Sequence, residues 1–125
     1  MPPMMAIAAT GNSKFAYEAG RISAEESRGV GIHFNLAPVV DVNNNPKNPI
    51  INTRSFGEHP DSVIKYSREF IKGLHEHGML TTAKHFPGHG DTETDSHSSL
   101  AQIPSDSARL WQIELPPFKL SLIHI

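Results

Sequence analysis

The sequence predicts an α/β fold in which two parallel strands alternate with three helices. Three observations carry that expectation. Helical periodicity marks residues 13–30, 60–77 and 105–114. Short alternating apolar stretches occupy residues 32–37 and 79–84. A long polar connection leaves the C-terminal end of each strand. Strands separated by helices pair in parallel, because a helical crossover returns the chain to the same end of the sheet.

The first helix is expected over residues 13–30, with Asn12 after Gly11 as its N-cap. Phe15, Ala19 and Ile22 fall on one face and are the expected buried stripe. Gly29 and Gly31 punctuate its end. The strand at residues 32–37 stops at Pro38. Residues 39–59 then form a polar connection with Asn43-Asn44-Asn45-Pro46 and Asn48-Pro49. Connections of that length inside a domain are uncommon and often functional.

Pro60 in the first helical position and Asp61 in the first turn open the second helix, which suits proline's fixed φ and the helix dipole. Val63, Phe70, Ile71 and Leu74 make its buried stripe, and Gly78 stops it. The second strand, residues 79–84, runs directly into a His-rich loop. Ser105 is the expected cap of a third helix that ends at Glu114, with Pro116-Pro117 interrupting it.

Composition narrows the function. The chain has 125 residues, 38% hydrophobic and 19% charged, with a formal net charge of −2. That is a globular composition, and it argues against a nucleic-acid binder, which carries a basic excess. No apolar run approaches the roughly 18 residues needed to span a bilayer. There are no cysteines, so thiolate chemistry and disulfides are excluded. The opening Met1-Pro2-Pro3-Met4-Met5-Ala6 lacks the basic and long apolar regions of a signal peptide.

The chemistry concentrates in Lys84-His85-Phe86-Pro87-Gly88-His89-Gly90-Asp91, followed by Thr92-Glu93-Thr94-Asp95-Ser96-His97. Titratable groups on a turning loop beyond a strand fit a site positioned by a rigid scaffold. Asp95 and His97 are two apart, so in an extended loop they share a side. The carboxylate would then orient the imidazole for proton donation near neutral pH; the alternative is a solvated loop pair. Lys84 is either a donor to sugar hydroxyls or carboxylates, or a strand-end lysine that reaches solvent. Arg54 has two level readings: a substrate donor, or a pin from its loop to a carboxylate such as Asp41.

His85, His89, Asp91, Asp95 and His97 include possible zinc ligands, but their spacing fits no helical metal motif. His75-Glu76-His77 lies on a helix, where residues two apart diverge, and is expected to be a solvated end. Trp111 is expected to pack in its helix. Gly88-His89-Gly90 lacks the Gly-Lys-Ser/Thr of a phosphate loop.

The loop from Lys84 to Thr92, with Asp95-Ser96-His97, resembles the signature of glycoside hydrolase family 3, in its β-N-acetylhexosaminidase branch. Ala37-Pro38-Val39-Val40-Asp41-Val42-Asn43, Arg54-Ser55-Phe56-Gly57 and the opening from Pro2 to Thr10 extend the likeness. It runs over residues 2–119. The resemblance implies a retaining enzyme on a TIM-like (β/α)₈ barrel that removes terminal N-acetylglucosamine from peptidoglycan or chitin-derived sugars. It implies His97 as general acid/base, Asp95 as its orienting partner, and Arg54, Lys84 and His85 as sugar-binding residues. No cofactor or metal is implied, and the partner is the carbohydrate substrate.

A barrel of this kind needs about 250 residues. Two strands cannot close one, so residues 1–120 are expected to be an internal slice of the barrel domain. By the same resemblance the family's Asp nucleophile would lie beyond Ile125, and another substrate-binding Asp and Arg before Met1. Residues 121–125 depart from the family's continuation and are expected to be an artefactual tail. Three alternatives stand beside this reading: a phosphorylase of the same family, a metal-dependent hydrolase using the His/Asp loop, and an inactive fragment or binding module.

Overall fold

The computed structural model describes residues 1–93, 102–103 and 105–122, with side chains as far as residue 119. Among these the order is α1 (Met4–Ala9), α2 (Lys14–Gly29), β1 (Phe34–Asn35), a 3₁₀ turn (Asn52–Arg54), α3 (Pro60–Glu76), β2 (Leu80–Thr81), α4 (Ser107–Arg109), a wide π-helical turn (Leu110–Glu114) and α5 (Leu115–Leu122). The α/β class and the parallel pairing are as expected, with Phe34 opposite Leu80 and Asn35 opposite Thr81. The ladder is shorter than the apolar stretches. It resumes only as a parallel bridge between Val39 and Lys84, beyond Pro38, which has no N–H to contribute.

Helix α3 follows its sequence signals closely, from Pro60 in the first turn to a left-handed Gly78 (φ 74°) past its end. Val63, Phe70, Ile71 and Leu74 are buried as expected, and Phe56 lies fully buried against Tyr66 and Phe70, with ring centroids 6.0 and 6.2 Å away. Each such side chain stabilises the fold by about 1.5–3 kcal/mol when fully buried.

Helix α2 buries Ala19 as expected, but its buried face is rotated away from Phe15 and Ile22. Ala16, Ala19, Gly20 and Ala24 are its buried residues, whereas Phe15 is 52% and Ile22 41% exposed. The reason is a close crossing with α3. A Cβ on Gly20 would stand 2.2 Å from the Phe70 carbonyl oxygen, and one on Gly73 would stand 2.2 Å from that of Tyr17. Small residues on both helices let the backbones approach, Phe15 and Ile22 are left outside the crossing, and Tyr17 flanks it with its hydroxyl donating to Glu76 at 2.7 Å. Ser13 rather than Asn12 holds the N-cap position, without a side-chain cap bond, and Asn12 one residue earlier accepts the Lys14 N–H on its Oδ1 at 3.1 Å.

Three further expectations are corrected. The short helix α1 was not apparent in the sequence. Asp106, rather than Ser105, caps α4, its Oδ1 accepting from the Arg109 N–H at 2.8 Å. Pro116-Pro117 does not end the helical run: α5 continues through both prolines directly after the π-helical turn.

The His75 and His77 end of α3 is also not simply solvated. His75 Nε2 lies 3.0 Å from Thr81 Oγ1, and His77 Nδ1 lies 2.9 Å from the Gly73 carbonyl oxygen, with Nε2 3.6 Å from Glu25. The two rings do diverge, but each braces the helix. Trp111 lies in the helical run yet is 68% exposed among the described residues, so it is not a packing residue there.

Candidate active site

The site is built on an extended run, Val39 to Val42, in which Val40 and Val42 are fully buried and Asp41 is 1% exposed. A buried carboxylate must be hydrogen-bonded, because leaving water costs several kcal/mol without partners. Asp41 finds three donors on the His-rich loop. Its Oδ2 lies 2.6 Å from His85 Nδ1 and accepts the His85 N–H at 3.1 Å; its Oδ1 accepts the His89 N–H at 2.7 Å. The loop is therefore strapped to the strand edge by one side chain.

Asn48 ties the two polar connections together. Its Nδ2 donates to the carbonyls of His89 (2.7 Å) and Gly90 (3.1 Å), while its Oδ1 accepts from the N–H groups of Ile50 and Ile51. Asn45 Nδ2 donates to the Asp91 carbonyl at 3.2 Å. Gly90 allows the contact: a Cβ there would fall 1.7 Å from the Val42 carbonyl oxygen. The Asn-rich connection thus holds the His-rich loop, which is why it is long and ordered.

Asp41 fixes the chemistry of His85. A carboxylate only accepts, so Nδ1 carries the proton, and in the neutral ring Nε2 is left as an acceptor. Arg54 Nη2 stands 3.5 Å from that Nε2, and Arg54 Nη1 donates to the Ile50 carbonyl at 3.1 Å. Arg54 does not pin its loop to Asp41, whose oxygens serve His85 and His89.

Arg54 and Lys84 line one open cleft of about 420 Å³, together with Leu36, Ala37, Val39 and Thr53. Two of the three expected sugar-binding residues, Arg54 and Lys84, therefore line the same cleft, and the third, His85, is within 3.5 Å of Arg54. They present cationic and N–H donors beside an apolar floor, which suits a hydroxyl-rich ligand. Asp95 and His97 lie outside the described residues.

Of the other residues weighed as metal ligands, His89 Nδ1 pairs with Thr92 Oγ1, and Asp91 Oδ2 lies 2.8 Å from Arg109 Nη2. Among the described residues no three His, Asp or Glu side chains converge as a metal-binding group. Asp41, Asn45 and Asn48 are the functional scaffold that sequence reasoning missed as such. The signal for Asp41 was an acidic residue inside an otherwise apolar run.

The chain matches the Glycosyl hydrolase family 3 N terminal domain over residues 1–124. The chain belongs to glycosyl hydrolase family 3. A beta-hexosaminidase A from Pseudoalteromonas piscicida is 43% identical over 104 residues, 83% of this chain and 17% of that protein. A solved family 3 beta-N-acetylglucosaminidase from Paenibacillus sp. str. FPU-7 superposes with a TM-score of 0.94 at 43% identity, covering 97% of this chain and 23% of the other. A beta-glucoside phosphorylase, BglX, superposes with a TM-score of 0.95 at 29% identity, covering 98% of this chain and 22% of the other. The chain spans 17% to 36% of the length of curated relatives such as these hexosaminidases. Family 3 membership thus confirms the resemblance drawn from the loop motif.

Proposed function

We propose that this chain is part of a retaining β-N-acetylglucosaminidase, a slice of a (β/α)₈ barrel that releases terminal N-acetylglucosamine from cell-wall or chitin-derived sugars. The supporting observation is that Arg54 and Lys84 line one cleft while His85, oriented by Asp41, lies within 3.5 Å of Arg54. The parallel β1–β2 pair, with both polar connections leaving its C-terminal end, supports the barrel reading.

In this reading Arg54, Lys84 and His85 bind sugar hydroxyls. His97, oriented by Asp95, protonates the glycosidic oxygen as its bond to the anomeric carbon breaks. A carboxylate from elsewhere in the full-length protein attacks that carbon and forms the covalent glycosyl intermediate. His97 then takes a proton from the water that releases the sugar. The scheme uses no metal, so activity of the full-length enzyme should survive exhaustive chelation.

The test is His97→Ala in the full-length enzyme. Loss of a positioned acid/base costs about 10²–10⁴ in rate. The loss should fall on a β-linked N-acetylglucosamine disaccharide and be much smaller for glycosylation by an activated aryl glycoside, whose leaving group needs little protonation. Equal rates for variant and parent on the disaccharide would sink the assignment.

A phosphorylase is the second reading, favoured by the superposition on BglX. A histidine acid/base repels an incoming phosphate less than a carboxylate would. Product analysis with and without phosphate separates the two, because only phosphorolysis yields a sugar 1-phosphate.

A further inference from the structure

We propose that buried Asp41 makes His85 a hydrogen-bond acceptor toward the sugar, so that this point of the site takes a free hydroxyl and rejects a group that cannot donate. The inference rests on the sugar-binding reading of His85 given above, and goes beyond it in assigning the direction of the hydrogen bond. Asp41 is then a positioning residue that acts through His85.

Both ring nitrogens are assigned by their neighbours. Asp41 Oδ2 lies 2.6 Å from Nδ1, and a carboxylate that also accepts the His85 and His89 backbone N–H groups has no proton to give. Nδ1–H is therefore the donor. On the other side of the ring, Arg54 Nη2 stands 3.5 Å from Nε2. A guanidinium carries donors only, so the nitrogen it faces is the unprotonated one. The two contacts come from different connections, yet both select the same tautomer.

The ring also remains reachable. The Asp41 side chain is fully buried, whereas the His85 side chain keeps 35% exposure. Nδ1 is spent on Asp41, so the one polar atom His85 can offer a ligand is Nε2. The neighbouring His89 ring, 6.1 Å away and edge-on, is engaged elsewhere: its Nδ1 pairs with Thr92 Oγ1 and its Nε2 is buried.

The other polar side chains at the cleft give this polarity its consequence. Arg54 and Lys84 line it, and both can only donate. A hydroxyl accepts from such a donor and still has its own proton for Nε2. Fluorine, an ether oxygen or a glycosylated oxygen accepts but cannot donate, and leaves Nε2 unpaired. A site built to pair with a hydroxyl discriminates against an analogue that leaves its polar groups without partners.

The experiment uses the full-length enzyme as parent, His85→Ala and Asp41→Asn. Aryl N-acetylglucosaminides with each free hydroxyl replaced in turn by fluorine are compared with the unmodified substrate. At one position the hydroxyl-to-fluorine ratio of kcat/KM should be about 10-fold larger in the parent than in His85→Ala. The electronic effect of fluorine is common to both enzymes and cancels. Asp41→Asn should shrink the same ratio, because its amide can donate to Nδ1 and move the ring proton to Nε2, the wrong tautomer. A change that merely loosened the fold would slow both substrates by one factor and keep the ratio. In 15N-histidine-labelled parent, the His85 ring, assigned by its loss in His85→Ala, should show an unprotonated Nε2. That measurement stands even where Asp41→Asn folds poorly.

A protonated Nε2 would overturn the proposal while leaving His85 a sugar-binding residue. So would ratios that His85→Ala leaves unchanged at every position although it slows the unmodified substrate. A folded Asp41→Asn with the parent's ratios would overturn the part assigned to Asp41. Parent-like rates for His85→Ala on the unmodified substrate would instead remove the sugar-binding reading itself.

Discussion

Asp41 and His85 are joined twice, through the ring Nδ1 at 2.6 Å and through the backbone N–H at 3.1 Å, although 44 residues separate them in the chain. The double contact sets both the position and the tautomer of His85. It makes a buried carboxylate on one connection responsible for the chemistry presented by the other.

Replacing Asp41 by Ala should be among the costliest changes in this region. It strands the His85 and His89 N–H groups and opens a void beneath the loop. Breaking a buried charged network of this kind typically costs about 3–5 kcal/mol. Denaturant unfolding of the full-length protein should show that loss, with substrate binding weakened as His85 loses its orientation. A midpoint within about 0.5 kcal/mol of the parent's would contradict the anchoring role.

Gly73→Ala tests the helix crossing. Helix propensity alone favours alanine by about 1 kcal/mol. The new Cβ would stand 2.2 Å from the Tyr17 carbonyl oxygen and 2.8 Å from the Arg21 backbone nitrogen, so the helices must separate. Net destabilisation of about 1–3 kcal/mol is expected, as for other overpacked sites. A stabilised variant would show that α2 and α3 pack more loosely than described.

Glu114 should make stability depend on pH in the unusual direction. Burial pushes its carboxyl above the ordinary value of 4.5, with the Asp91 charge adding to the rise and Arg109 only opposing it. A raised folded pKa means the folded state binds the proton more tightly. The resulting stabilisation is present at low pH and is lost as pH rises from the unfolded value through the folded one. Glu114→Gln should remove that loss, so the stability difference between variant and parent should shift in the variant's favour above pH 4.5. A difference that stays constant with pH would refute this.

The chain studied alone should be poorly soluble and inactive. Phe34, Leu36 and Leu80 on the strand segments are 49%, 61% and 63% exposed, and Phe15 and Ile22 leave an apolar groove beside α1. Open strand edges next to such surface invite association. Dye binding, a broad melt and no release of 4-nitrophenol from the aryl N-acetylglucosaminide are expected. A sharp two-state transition in a monomer would contradict the structural half of this expectation.

Local chemistry alone determined a good deal. Pro60, Asp61 and Gly78 are stop and start signals that act within a turn or two, so α3 is legible from them. Alternation of strand and helix patterns implied the parallel pair, because a crossover leaves no other pairing for neighbouring strands. The loop from Lys84 to Asp91, with Asp95 and His97, carried the resemblance to the family, because a motif of that length is read directly in linear order.

Tertiary structure decided what depends on partners distant in the chain. Periodicity shows that α2 has two faces, but the α3 backbone selects the face with Ala16 and Gly20 over the face with Phe15 and Ile22. The sequence offers Asp41 several possible partners, and the packing of two loops awards it to His85 and His89 rather than Arg54. The Arg109–Asp91–Glu114 group was invisible for the same reason. Its members become neighbours only when the helix after the loop folds back over Gly88, because a hydrogen bond or ion pair is set by distance in space, which linear spacing does not encode.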